Sequence, residues 1–309
     1  MWCIFAPDMP VVDDVKYGSN TITRMDQLRA IPALFKLRLA TLVVLSSVFG
    51  YFTATAVVDW RALGILCLGG FLLTGASNGL NQVWERDIDK LMERTRNRPI
   101  PTGVLSPLQA TVISTIAGIL GIALLGWGLN FLSGVLGTLA LFMYVFLYTP
   151  LKKHSSLAVF VGAFPGAIPP MLGYVACTGD FGIEPGSLFA MQFVWQFPHF
   201  WAIAWVAQED YARAGYHLLP FAEGRTSKSA FIILCYTLLL IPVSLMPWVF
   251  PAEAPIIGHV GAGLVLASGA VFAWYAWKLF RYQDVKHAKQ LMFASFLYLP
   301  LVQLVYVFA

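Results

Sequence analysis

The sequence predicts an all-α, polytopic membrane protein with nine transmembrane helices. The chain has 309 residues, 58% of them hydrophobic and 12% charged, and its mean hydropathy is +0.71. Apolar runs of about 20 residues can cross a hydrocarbon core roughly 30 Å thick. Because lipid offers no partner for backbone N–H and C=O groups, such runs must be helical. They lie at about 31–57, 61–82, 107–127, 130–150, 157–177, 187–207, 228–250, 256–279 and 290–308.

The distribution of charge predicts the orientation of the chain. The net charge is +4. All Lys and Arg residues except Arg61 fall in the N-terminal tail, in the loops after spans 2, 4, 6 and 8, or at adjoining helix ends. Since positive residues stay in the cytoplasm, the N-terminus and those four loops are expected there, and an odd number of spans puts the C-terminus in the periplasm.

The composition of the N-terminal segment indicates in which kind of membrane the protein lies. Its acidic residues are atypical of a mitochondrial transit peptide; they are Asp8, Asp13, Asp14 and Asp26. We therefore expect a bacterial inner-membrane protein, with a cytoplasmic tail at residues 1–30 and one transmembrane domain at residues 31–309.

An acidic stripe follows span 2. Asn81, Glu85 and Asp89 stand at four-residue steps, which on a helix places them along one face about 6 Å apart. Mg²⁺ typically binds one or two carboxylates, waters and phosphate oxygens. The spacing predicts a Mg²⁺ site at the cytoplasmic end of this span, and the alternative interpretation is a solvated, charged helix end.

Two basic groups lie at the same membrane face. Arg94 and Arg98 follow the acidic stripe, and guanidinium groups bind phosphate oxygens two at a time. Tyr148 and Lys152, at the end of span 4, are spaced to reach the same anion. The alternatives are a topology signal with lipid headgroup contacts and an ordinary aromatic belt.

Span 6 carries polar side chains where the bilayer should make them costly. Trp195, Gln196 and His199 lie inside it, and such residues favour a cavity. The aromatic rings are suited to stack on a planar ligand or to line a path for a carbocation. A core histidine among packing aromatics is the alternative. Glu209 and Asp210, just beyond the span, are candidate ligands of a second metal site or members of a solvated loop.

The loop before span 3 contains a helix start. Ser106 is suited to be the N-cap, Pro107 the first helical residue and Gln109 the third, as in a capping box. Span 5 contains small residues four apart, Gly162 and Gly166, which let membrane helices approach closely.

Together these residues resemble the UbiA superfamily of intramembrane prenyltransferases. Its first acidic motif is matched by Asn81, Glu85 and Asp89, and its Tyr-x-x-x-Lys element by Tyr148 and Lys152. Glu85 departs from the usual Asp and has a longer arm. Within the superfamily the chain is most similar to the branch that farnesylates haem. Residues 87–99, 148–170 and 195–220 carry that resemblance, above all Trp-Gln-Phe-Pro-His-Phe from residue 195.

The resemblance implies a reaction and its site. A farnesyl group would pass from farnesyl diphosphate to a vinyl group of haem b, with addition of water, to give haem O for haem-copper terminal oxidases. Mg²⁺ would be the cofactor. The implied roles are Mg²⁺ binding by Asn81, Glu85, Asp89, Glu209 and Asp210, diphosphate binding by Arg94, Arg98, Tyr148 and Lys152, and haem contact by Trp195, Gln196 and His199, with His154 and His217 as rivals of His199.

The expected partners follow from that reaction. They are haem b, farnesyl diphosphate, the lipid bilayer and a downstream haem-modifying enzyme, and no nucleic acid. Two alternatives stay open. A prenyltransferase with an aromatic quinone precursor as acceptor would share the metal site without needing His199. A transporter would place ionisable groups deep in its spans, whereas most charges here gather at one face.

Overall fold

The computed structural model describes residues 22–250 and 256–308. All regular structure in those ranges is helical, and the elements that matter for the site are nine long helical segments and several short ones. The elements are α1 (Arg24–Phe35), α2 (Leu37–Ala54), α3 (Trp60–Glu85), α4 (Pro107–Gly128), α5 (Phe131–Phe142), a π-helical turn (Met143–Tyr148), α6 (Thr149–Leu151), α7 (Leu157–Thr178), α8 (Ile183–Val206), α9 (Gln208–Arg213), α10 (Ser227–Ser244), α11 (Met246–Val249), α12 (His259–Tyr282) and α13 (Val285–Phe308).

The predicted bundle of transmembrane helices is confirmed. Eight segments are long and apolar enough to cross a membrane by length and composition. The remaining predicted span, the sixth, corresponds to α8, which has 24 residues and is long enough for a span. Its mean hydropathy is reduced by polar side chains, among them Gln196 and His199, which also distinguished span 6 in the sequence.

The first predicted span begins later than expected. The apolar run from residue 31 contains a break at Lys36, whose backbone is left-handed with φ 50°, so that α1 ends at Phe35 and α2 begins at Leu37. Side chains of α3 take up carbonyls left open by the break: Asn78 donates to the Phe35 carbonyl at 3.1 Å and Gln82 to the Leu34 carbonyl at 2.7 Å. Of the predicted tail, residues 1–21 lie outside the described part of the chain.

Close helix contacts shape the interior. A Cβ atom on Gly173 of α7 would overlap the Ser47 carbonyl oxygen of α2, and one on Gly166 would overlap the side-chain amide of Gln196 of α8. These approaches confirm the small-residue interface predicted for span 5. The capping box of α4 is also confirmed, because Ser106 and Gln109 exchange hydrogen bonds of 2.9 and 3.1 Å.

The two segments that were predicted to be the longest cytoplasmic loops meet over one end of the bundle. The Glu93 N–H donates to the Asp210 carboxylate at 3.1 Å, and Met92 packs in a buried cluster with Ala214 and Tyr216. The loop after α3 and the loop after α9 therefore form one cap above α2, α3, α7 and α8.

Candidate active site

A cavity of about 320 Å³ runs from beneath this cap into the bundle. It is lined by α2, α3, α7, α8 and α13 and by residues of both loops. The structure brings most of the predicted site residues to this one space. They are Asn81, Glu85, Arg94, Arg98, Tyr148, Lys152, Trp195, Gln196 and His199.

Glu85 is held at the end of the cavity that lies beneath the cap. It closes α3, is 5% exposed, and forms an ion pair with Lys152. The Tyr216 hydroxyl donates to the same Glu85 oxygen at 3.1 Å. The Lys152 ammonium also lies 4.8 Å from the ring centroid of Tyr148, the geometry of a cation–π contact. A buried carboxylate thus has a balancing cation beside it.

Asp89 is buried behind an arginine. Its carboxylate is fully buried and accepts two hydrogen bonds from Arg98 Nη1, at 2.7 and 2.8 Å. Arg98 lines the cavity and Asp89 does not. The predicted four-residue register continues past α3, because the Asp89 N–H donates to the Glu85 carbonyl at 2.7 Å. Asn81 donates from Nδ2 to Thr149 Oγ1 at 3.2 Å, so its carbonyl oxygen is the group suited to a metal.

Two more cations face this end of the cavity. Arg94 Nε is buried and has no hydrogen-bond partner among the described residues, so it is poised to receive an acceptor. Lys36 lines the cavity at the α1–α2 break, just before the first membrane-spanning helix. Burial lowers the pKa of Lys36 to about 7, and the positive charge of Arg98 acts in the same direction. Lys36 was not among the predicted site residues because it fell within a predicted span, although an ionisable residue in a span is itself a signal of function.

The acidic residues of α9 lie apart from the cavity. Glu209 is exposed and pairs with Arg225 at 3.3 Å, and Asp210 pairs with Arg213 at 2.7 Å. Neither lines the cavity. Within the described ranges, no three His, Cys, Asp or Glu side chains cluster closely enough to hold a metal. Of the predicted acidic motif, Asn81 and Glu85 line the cavity, and the Asp89 carboxylate lies behind Arg98.

His199 is oriented inside the membrane part of the cavity. Its Nδ1 lies 2.7 Å from Ser295 Oγ, and that hydroxyl donates to the Met292 carbonyl at 2.6 Å. Because the only hydroxyl hydrogen is used, Nδ1 must be the donor and Nε2 keeps its lone pair. The Trp195 ring stacks on the imidazole at 4.3 Å. His154 and His217 do not line the cavity.

The remaining polar groups near His199 are tied to the backbone. Trp195 Nε1 donates to the Ser295 carbonyl at 3.0 Å, and Gln196 Nε2 donates to the Ala163 carbonyl at 2.8 Å. Ser295 was not among the predicted site residues, since α13 shows no motif beyond its hydropathy. The arrangement joins a cationic end, suited to a diphosphate, to an apolar and aromatic interior with one basic nitrogen.

Comparison with known proteins agrees with this architecture. Residues 43–299 match the model of the UbiA prenyltransferase family. A Cytophaga hutchinsonii protein named protoheme IX farnesyltransferase is 46% identical over 282 residues, covering 91% of this chain and 97% of that protein. A Flavobacterium johnsoniae protein of the same name is 42% identical over 293 residues, covering 94% and 97%.

Solved structures share the fold. A digeranylgeranylglyceryl phosphate synthase superposes with a TM-score of 0.77 at 18% identity, over 92% of this chain and 98% of that one. A UbiA homolog from Archaeoglobus fulgidus bound to DMAPP and Mg²⁺ gives 0.69 at 13% identity, over 91% and 100%. With its multi-pass helical fold and the family match over most of its length, this chain belongs to the UbiA prenyltransferase family.

Proposed function

We propose that this protein transfers a farnesyl group from farnesyl diphosphate to a vinyl group of haem b, with addition of water, to form haem O. The observation that carries the proposal is one cavity that contains both a cationic end and an imidazole. The Nε2 of that imidazole has no hydrogen-bond partner among the described residues. An anionic diphosphate and a planar metalloporphyrin are the ligands that these two features suit. The relatives named protoheme IX farnesyltransferase support the same reaction.

The cationic end binds the diphosphate. Arg94 offers a buried Nε without a protein acceptor among the described residues, and Lys36 and Lys152 face the same space. Charge-assisted hydrogen bonds to phosphate are stronger than neutral ones, and they stabilise the charge that develops as the C1–O bond breaks. Tyr148 packs against the Lys152 ammonium and limits the positions it can take.

The acidic residues fit Mg²⁺, whose usual ligands are one or two carboxylates together with substrate phosphate and water. Asn81, Glu85 and Asp89 would hold it, and Mg²⁺ would neutralise the diphosphate as it leaves. In the protein alone, Lys152 and Arg98 balance these carboxylates. On substrate binding those cations gain the diphosphate as a new partner. Glu209 and Asp210 remain sequence predictions, because their carboxylates are paired outside the cavity.

The interior of the cavity takes the apolar parts of both substrates. Its lining is mainly aliphatic and aromatic below the cationic end, so it excludes water around an allylic cation until the vinyl group attacks. His199 contacts the haem through Nε2. Trp195 holds the imidazole plane and Gln196 holds α8 against α7.

The setting of the reaction follows from the charge pattern. This multi-pass membrane protein is proposed to lie in a bacterial inner membrane, with the N-terminus and the cap of loops in the cytoplasm and the C-terminus in the periplasm. Positive residues at the cap support that orientation. Haem O would then pass to a downstream haem-modifying enzyme.

The test is the mass of the haem products formed from haem b, farnesyl diphosphate and Mg²⁺ by the purified protein. We expect wild type to form haem O, and Asp89→Asn to lose at least about 10²-fold of the rate. Asp87→Asn is the matched control, since this exposed carboxylate pairs with Arg86 and Lys90 at the surface. Absence of a haem product, with turnover of an aromatic quinone precursor instead, would keep the prenyl transfer and contradict the haem assignment.

A further inference from the structure

Tyr216 contacts the acidic motif from a distant part of the chain. It lies in the loop after α9, 131 residues from Glu85, and its hydroxyl is 3.1 Å from Glu85 Oε1. Both residues are 5% exposed. The loop turns at Gly215, where φ is +72°, and the Tyr216 N–H donates to the Tyr211 carbonyl at 2.9 Å. The backbone therefore fixes the direction of the tyrosine.

The hydrogen bond has a defined polarity. A carboxylate oxygen is an acceptor only, so the Tyr216 hydroxyl is the donor. A tyrosine hydroxyl ordinarily keeps its proton at neutral pH, so it has a hydrogen to donate. Lys152 contacts the same oxygen.

One oxygen of Glu85 thus contacts two donor groups, whereas the other contacts none in the described part of the chain. Oε1 receives both Lys152 and Tyr216, whereas Oε2 receives no hydrogen bond from any residue in the described ranges. A glutamate has one more rotatable bond than an aspartate, and its carboxylate needs an added contact to stay in one orientation. Tyr216 supplies that contact.

We propose that Tyr216 is a positioning residue for Glu85, holding Oε1 so that Oε2 is presented to Mg²⁺. This inference rests on the proposed function, in which Glu85 is a metal ligand. Residues that hydrogen-bond to a metal ligand typically change metal affinity by about 10- to 100-fold when they are replaced. Tyr216 itself lines the cavity, and in this role it acts on the metal through Glu85.

The experiment is a titration of purified protein with Mn²⁺ in the presence of inorganic diphosphate, followed by electron paramagnetic resonance. We expect Tyr216→Phe to weaken Mn²⁺ binding about 10- to 100-fold, because the ring and its packing on Met92 are kept while the donor is lost. Tyr298→Phe is the matched control. It removes a buried hydroxyl that lies 2.8 Å from Ser244, outside the cavity, and should leave Mn²⁺ binding unchanged.

A double-mutant cycle separates positioning from a general structural effect. Glu85→Asp withdraws the carboxylate from Tyr216, so adding Tyr216→Phe in that background should weaken Mn²⁺ binding by less than about 2-fold if the two act as one unit. The rate should depend on Mg²⁺ accordingly: Tyr216→Phe raises the half-saturating Mg²⁺ concentration and leaves kcat at saturating Mg²⁺ within about 3-fold of wild type.

The outcomes distinguish this inference from the function on which it rests. Mn²⁺ binding that is the same in Tyr216→Phe and wild type would overturn the role of Tyr216 and leave the proposed function standing. An equal loss when Tyr216→Phe is added to wild type and to the Glu85→Asp variant would also overturn it, since Tyr216 would then act elsewhere. Failure of wild type to bind Mn²⁺ at all would remove the metal site and this inference together.

Discussion

The two ends of the cavity hold their polar groups in different ways. At the cationic end, beneath the cap, charged side chains hold one another, as Lys152 holds Glu85 and Arg98 holds Asp89. Around His199, polar side chains are held by backbone carbonyls and by a serine that itself donates to the backbone. His199 lies seven residues before Val206, the end of α8, or roughly 10 Å inward at about 1.5 Å per residue.

This difference suits different tasks. Ion pairs between side chains can exchange one partner for another, so the cationic end can accept a charged ligand without leaving an unpaired charge. Bonds to the backbone cannot exchange as easily, because a helix carbonyl does not move away. The inner end is therefore preorganised for one orientation of a planar ligand.

Replacement of Lys152 by Met should have the largest effect, because it removes one partner of an ion pair at the cationic end. It removes a proposed diphosphate ligand and leaves Glu85 as a buried, uncompensated charge, which typically costs about 3–5 kcal/mol. We expect a large loss of haem product and a lower thermal unfolding midpoint in detergent.

A double variant tests whether the stability loss comes from the unpaired charge. Adding Glu85→Gln to Lys152→Met should recover most of the midpoint and none of the activity. A Lys152→Met protein as stable as wild type would contradict the view that this pair balances a buried charge.

Ser295→Ala should have an intermediate effect, and it tests whether Ser295 orients the imidazole of His199. The imidazole loses the acceptor that orients Nδ1, and such a loss typically weakens binding at the other nitrogen about 10-fold or more. The measurement is a haem titration followed by absorbance, in which His199→Ala should lose the bound spectrum altogether. Ser133→Ala is the control, because Ser133 Oγ is buried without a hydrogen-bond partner among the described residues. Equal haem affinity in Ser295→Ala and Ser133→Ala would argue against this role.

The smallest expected effect is a pH dependence of ligand binding at the cationic end. With its pKa lowered to about 7, Lys36 is charged below pH 7 and loses its proton above it. The affinity for inorganic diphosphate should therefore fall as pH rises from about 7 to about 8.5, by less than about 10-fold per pH unit because one proton is linked. Binding should take up protons in this range.

The matched control for the pH dependence is Lys36→Met. This variant retains the titration of the ligand itself and should lose the part of the pH dependence that belongs to Lys36. Identical pH profiles for the variant and wild type, measured by calorimetry in buffers of different ionisation enthalpy, would contradict the assignment.

Sequence and structure agree where one helix carries the signal. The apolar runs predicted the bundle, and the spacing of Asn81 and Glu85 predicted one face of α3, because both depend on local periodicity. The break at Lys36 could not be predicted in this way, since it depends on Asn78 and Gln82 reaching the carbonyls at the end of α1.

The residues that sequence analysis missed belong to contacts between distant segments. Tyr216 meets Glu85 across 131 residues, and Ser295 meets His199 across 96. Glu209 is the converse case, a residue that was predicted for the site but lies outside it. Its place just beyond span 6 suggested a metal ligand, but its side chain is exposed and paired with Arg225. Periodicity within a helix predicts neither kind of outcome, because packing between distant helices and the geometry of the loops decide them.

The most direct test of the shared cavity is a structure of the protein with Mg²⁺, haem b and an unreactive thio analogue of farnesyl diphosphate. We predict the diphosphate beside Arg94 and Lys152, and the haem iron at bonding distance from His199 Nε2, in one continuous cavity. Haem bound outside the cavity, or ligated by His154 or His217, would contradict the account.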